Sequence, residues 1–125
     1  MHREDLVEYL NGVKTHKELM ESISEELRSF RSSLKVKGGS ASIKYDGDNQ
    51  RTLITSEHIK RLCLDYLNKN VDDFFVSYIA DTLLLSENTI YEDENIREQL
   101  ELLTDFEVNG HLSSESVKHI YRTLL

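Results

Sequence analysis

The stretch TDFEVNGHLSSE, residues 104–115, carries the residue types of a calcium loop. A loop of that kind needs oxygen ligands at its positions 1, 3 and 5, a glycine at 6 and a bidentate glutamate at 12. Counted from Asp105, these positions hold Glu107, Asn109 and Gly110, and Leu112 fills the apolar position 8. Position 12, however, is Ser116, with Glu115 one residue short, so the closing ligand is misplaced. A second partial match starts at Asp46, with Asp48, Gln50, Leu53 and Glu57 in place, but Arg51 stands where the glycine belongs. Each candidate lacks a different essential part. The simpler reading is that Asn109-Gly110 ends one helix, Ser113 or Ser114 caps the next, and Glu115 occupies its first turn. No metal and no cofactor are therefore expected.

Other chemistries find less support. His2, His16, His58, His111 and His119 form no HExxH or comparable pair, and one cysteine cannot build a thiolate zinc site. His119 adjoins an apolar stripe and is expected to pack there. Cys63 falls inside the apolar stripe of a helix, where a thiolate is disfavoured. No nucleophile elbow, Walker motif or dinucleotide fingerprint occurs, and Gly38-Gly39-Ser40 lacks the following GK[ST]. No enzyme is expected. Lys35, Lys37, Lys44 and Arg51 make a modest basic cluster, but the charge elsewhere opposes direct nucleic-acid binding.

That charge is unevenly spread. Residues 1–63 carry 11 Lys and Arg against 10 Asp and Glu, whereas residues 64–125 carry 4 against 13. Between Asp72 and Glu107 there are 11 acids and one base, Arg97. Such a half repels phosphates and attracts basic surfaces. Tyr91 sits among carboxylates, with Glu92, Asp93 and Glu94 beside it and Glu98 and Glu101 on the face of Glu94. Asp72 and Asp73 precede them on another helix. An aromatic anchor within acids suits recognition of a basic protein. The expected partner-binding residues are Asp72, Asp73, Tyr91, Glu92, Asp93, Glu94, Glu98 and Glu101. The competing reading is a solvated acidic face on which Tyr91 packs locally.

These residues need elements to hold them. The length, 125 residues, fits one domain, 1–125, and the absence of proline suits helices with short connections. Apolar spacing predicts a helix near 4–14 with Leu6, Leu10 and Val13, which Asn11-Gly12 could stop early. A second runs over about 16–34 with Leu19, Ile23, Leu27 and Phe30, opened by a Thr15/Glu18 capping box. Residues 36–54 change character and read as a loop or small β-hairpin. Helices follow from Thr55 or Ser56 to about Asn68, then across VDDFFVSYIADTLLL, over about 95–104, and over 114–124. The broad apolar face Val71, Phe74, Phe75, Tyr78, Ile79 and Leu83 marks a central helix. The fold expected is all-α, an irregular antiparallel bundle of about six helices. No apolar run approaches the ~20 residues of a membrane span, and the charged start MHREDLVEYL is no signal peptide, so a cytoplasmic location is expected; of the oligomeric states, the monomer is favoured.

The C-terminal third, IADTLLLSENTIYEDENIREQLELLTDFEVNGHLSSESVKHIYRTLL, resembles small bacterial immunity proteins of polymorphic toxin systems, including contact-dependent growth inhibition. Some of these end in a helix, an NG-type turn with a polar cap, and a short final helix. The resemblance implies a protein that acts by binding, without catalytic residues. Its partner would be a cognate toxin domain, in many such systems a nuclease with a basic cleft. The acidic segment would face that cleft, with no direct nucleic-acid contact and no membrane. Alternative readings are a degenerate EF-hand-like sensor and a regulatory adaptor.

Overall fold

A computed structural model describes residues 1–35, 43–104 and 111–125 of the chain. The fold is mainly α. Seven helices lie among the described residues: α1 (Arg3–Leu10), α2 (His16–Ser22), α3 (Ser24–Lys35), α4 (Ser56–Leu67), α5 (Asp73–Leu85), α6 (Glu94–Leu102) and α7 (Ser114–Thr123). Two short strands, β1 (Thr52–Ile54) and β2 (Thr89–Tyr91), pair in parallel.

Helix α5 is the centre. Phe75 through Ala80, Thr82 and Leu83 are all buried, so polar residues fall inside it and need partners. Ser77 Oγ lies 3.0 Å from Thr104 Oγ1, and Thr82 Oγ1 donates to the Tyr78 carbonyl at 2.7 Å. Around α5 pack α3, α4 and α6, while α7 lies against α4 and α6 and α1 lies against α2 and α4. Edge-to-face ring pairs join Phe75 to Tyr9 and Tyr78 to Phe30, with centroids 5.7 and 5.2 Å apart.

Local chemistry sets the helix ends. Thr15 and Glu18 form the expected capping box, and Ser113 with Ser116 forms another. The helix expected over 16–34 breaks at Ile23, whose backbone (φ −115°, ψ 17°) leaves the helical range. Ile23 itself is buried, as its spacing required, so the kink keeps the apolar stripe turned inward. Val13, expected inside, is 71% exposed because α1 stops at Leu10. Asn11-Gly12 ends that helix: Gly12 N–H donates to the Tyr9 carbonyl and Val13 N–H to that of Glu8. This Schellman geometry needs positive φ, and Gly12 supplies it at +82°.

Helix α4 ends the same way with a different residue. Lys69 N–H donates to the Tyr66 carbonyl and Asn70 N–H to that of Asp65, and Lys69 adopts φ +61°. A side chain in that region costs about 1 kcal/mol or more. Lys69→Gly is therefore expected to raise stability by about 0.5–1 kcal/mol, net of the extra freedom glycine gives the unfolded chain. Urea denaturation of the two proteins measures it; no gain would mean that the lysine stem contributes packing the backbone strain conceals.

The hairpin alternative for 36–54 does not form among the described residues. Thr52–Ile54 pairs instead with Thr89–Tyr91, in the register Thr52↔Thr89, Leu53↔Ile90 and Ile54↔Tyr91. The reason lies in burial. Thr52 and Ile54 are turned into the core, and a partner strand 37 positions on, delivered by the end of α5, closes their ladder. Asp46, at the start of the acidic DGDN, bridges instead to His2.

Candidate functional site

The structure divides the eight residues expected to bind a partner. Asp72 and Asp73 open α5, while Tyr91 to Glu94 lie beyond its other end. A helix of 13 residues separates the groups by roughly 20 Å.

The first group is occupied. Asp72 caps α5, its carboxylate accepting the Phe75 N–H at 3.0 Å, and it pairs with Arg31 at 2.7 Å. Arg31 also lies over the Phe74 ring, 5.4 Å from its centroid. Asp73 faces His111 Nδ1 at 3.3 Å. These carboxylates hold α3 and the segment before α7 to the start of α5.

The second group forms one edge. Asp93 caps α6 by accepting the Ile96 N–H at 3.1 Å. Helix α6 then turns Ile96, Leu100 and Gln99 inward and leaves Glu94, Glu98 and Glu101 outside. Tyr91 is half-buried against the core, its hydroxyl donating to the Leu83 carbonyl at 3.4 Å. Burial raises its pKa; Arg97 opposes that, while Glu101 and Glu94 add to it, which places all three charges around the ring. Arg97 pairs with Glu101 at 3.4 Å. Glu92, Glu94 and Glu98 are exposed and make no ion pair among the described residues. Tyr91 therefore packs locally, as the bland reading held, and its ring edge still borders the free acids.

His58 adjoins this edge and went unnoticed in the sequence because its role is local. Its Nδ1 accepts the Thr55 N–H at 3.1 Å, closing the start of α4, and its Nε2 lies 2.7 Å from Asn11 Oδ1. The first bond requires the neutral ring, and with Nδ1 accepting, the ring proton sits on Nε2 and points to Asn11 Oδ1. Burial lowers its pKa below 6.5, against the smaller pull of Glu57 and Glu92. The unfolded chain therefore binds a proton that the folded chain refuses. The contribution of His58 is complete above pH 6.5 and is lost as pH falls below 6.5 toward the depressed folded value. The thermal midpoint is expected to fall between pH 7 and 5, and less steeply in His58→Gln, which keeps a capping acceptor. Equal slopes would exclude His58 as the titrating group.

Other candidate residues resolve simply. Cys63 is buried, and burial pushes its thiol up to about 12, which disfavours the thiolate. His119 is exposed rather than packed, since Val117 and Ile120 take the inward positions of α7. The partial calcium match at 46–57 is spread over several elements: Asp48 bonds Ser86 and Asn88, Leu53 lies in β1, and Glu57 pairs with Lys60 at 2.6 Å. Residues 105–110 of the other match lie outside the described residues. Among the described residues, no cluster of three or more His, Cys, Asp or Glu is placed to hold a metal. No described helix is long and apolar enough to cross a membrane.

Comparisons with protein-family models, with curated proteins and with solved structures find no match for this chain.

Proposed function

We propose that this protein is a binding partner that neutralises a bacterial toxin domain, in the manner of an immunity protein, through the acidic edge of β2 and α6. The observation that carries this reading is the row Glu92, Glu94 and Glu98, exposed and without counter-ions among the described residues, beside the fixed ring of Tyr91. Solvated acids contribute little to stability, and like charges in a row oppose folding slightly. A basic surface brought against them would gain both steering and paired contacts. Asp72 and Asp73, already paired within the fold, stand outside this edge and serve the fold first. The partner would be a basic domain such as a nuclease, held by contact with no chemistry on this side. Among the described residues, the regulatory adaptor and the degenerate sensor have no comparable feature in their favour.

The test is capture of the tagged chain from its native cells, followed by co-expression with the candidate toxin. One near-stoichiometric partner with a basic toxic domain, silenced by this chain, is the expected result. Glu92→Lys, Glu94→Lys and Glu98→Lys together should slow association at least about tenfold and weaken protection, with the loss shrinking at high salt. Asp93 is left intact, because its loss would uncap α6 at a cost of about 1 kcal/mol. Unchanged association in the triple variant would remove this edge from the proposal, and absence of any toxic partner would end it.

A further inference from the structure

The two-stranded sheet has one face in the core and one outside. Thr52 and Ile54 are buried, whereas Leu53 is 54% exposed. Its neighbour across the ladder, Ile90, is 41% exposed. Strand alternation puts Leu53, Ile90 and Glu92 on the same outer face, with Glu92 roughly 7 Å along the strand from Ile90. The C-terminal ends of both parallel strands thus converge on acidic charge: Glu92 on the face, then Asp93 and Glu94. Arg51 lies at the opposite end.

Resting on the immunity reading, we propose that this outer face is the anchor of the acidic edge. It takes an extended basic segment of the partner, with one apolar side chain over Leu53 and Ile90 and a Lys or Arg about two residues away against Glu92. The charges point to this occupant. A second copy of the chain would bring Glu92 and Glu94 against their own counterparts in a protein of net charge −8, and two side chains are far short of the roughly 800 Å² per partner that a stable dimer needs. Strand addition along β1 is also excluded. Thr52 N–H donates to the Asn88 carbonyl and Glu92 N–H to that of Ile54, so residues 52 and 54 face β2 and only Leu53 turns its backbone outward. On either side of it, the Arg51 carbonyl is held by Arg3 at 2.9 Å and the Thr55 N–H by His58. On the β1 side a free edge one residue long cannot template a strand, so recognition of the Leu53 face falls to its side chains.

The experiment titrates the ¹⁵N-labelled full chain with two synthetic peptides, Lys-Ser-Leu-Ser-Lys and Lys-Ser-Ser-Ser-Lys, following backbone amides by NMR. The leucine peptide is expected to shift Leu53, Ile90 and Glu92 saturably and to bind about tenfold more tightly than the serine peptide, the order expected for covering one large apolar side chain. The double variant Leu53→Ser, Ile90→Ser, altered only at exposed positions, should keep its fold by circular dichroism and lose the preference. Equal binding of both peptides, or shifts confined to α6, would overturn the proposal. So would concentration-dependent broadening of Leu53 and Ile90 without peptide, which would assign the face to a second copy. No toxin takes part, so failure here leaves the immunity reading to its own test. A preserved leucine preference in a chain that neutralises no toxin would refute only that reading.

Discussion

Phe75→Ala should remove about 3–5 kcal/mol of stability, a large share of the roughly 5–15 kcal/mol typical of a domain. Phe75 is fully buried at the first turn of α5, where its ring meets the edge of Tyr9 and so ties the central helix to α1. Truncation to a methyl group loses the transfer free energy of the ring and leaves a cavity that surrounding helices cannot close. It also abolishes the ring pair, worth about 0.5–1.5 kcal/mol beyond burial. Equilibrium urea unfolding followed by circular dichroism measures the loss, and Phe75→Leu should recover much of it. A loss below about 1 kcal/mol would mean that α1 does not dock on α5 as described.

Asp65→Ala is expected to cost about 2–3 kcal/mol, through a polar contact in place of an apolar one. The Asp65 carboxylate accepts the Tyr9 hydroxyl at 2.5 Å and the Asn70 side-chain amide at 3.1 Å. Burial first, and the adjacent Asp65 carboxylate second, push the Tyr9 hydroxyl far above its ordinary pKa, so it remains a donor at any physiological pH. Alanine would leave that donor without its acceptor beneath the Arg61 guanidinium, which lies 4.8 Å from the ring centroid. Asp65→Asn keeps an acceptor and should cost less. The double-mutant cycle with Tyr9→Phe isolates the pair: removing the hydroxyl first should make Asp65→Ala markedly milder. Additive losses would show that Asp65 acts through Asn70 and the end of α4 instead.

Several parts of the fold were legible because their causes are local. The Thr15/Glu18 box, the stop at Asn11-Gly12 and the serine cap of the last helix each depend on residues within one turn. The stripe Leu19-Ile23-Leu27-Phe30 likewise named buried residues, as did the placing of Cys63 in the apolar stripe of its helix. The break at Ile23 was not legible, since its spacing suits a continuous helix as well as two helices that share a face.

The acids of this edge were legible in composition, and their grouping in space was not. Asp72, Asp73, Glu92, Asp93, Glu94, Glu98 and Glu101 are all visible as acids, but their employment depends on what the fold brings near. Arg31 comes to Asp72 from 41 positions away and His111 to Asp73 from 38, and neither pairing has a sequence signal. Asp93 looks like its neighbours until α6 begins at Glu94 and makes it a cap.

By itself, the sequence determined that the chain is mainly helical, where most helices start and stop, many of the residues that enter the core, and that its second half is acid-rich. Those properties follow from spacing, capping and charge, which act over a few residues or need no geometry at all. Only the tertiary structure decided that Thr52–Ile54 pairs in parallel with Thr89–Tyr91, that Leu53 and Ile90 share an outer face, and that the acids separate into a paired group and an exposed edge. A parallel pairing of short strands is set by the helices that carry them together, and a carboxylate is free or engaged according to the cation the fold delivers to it.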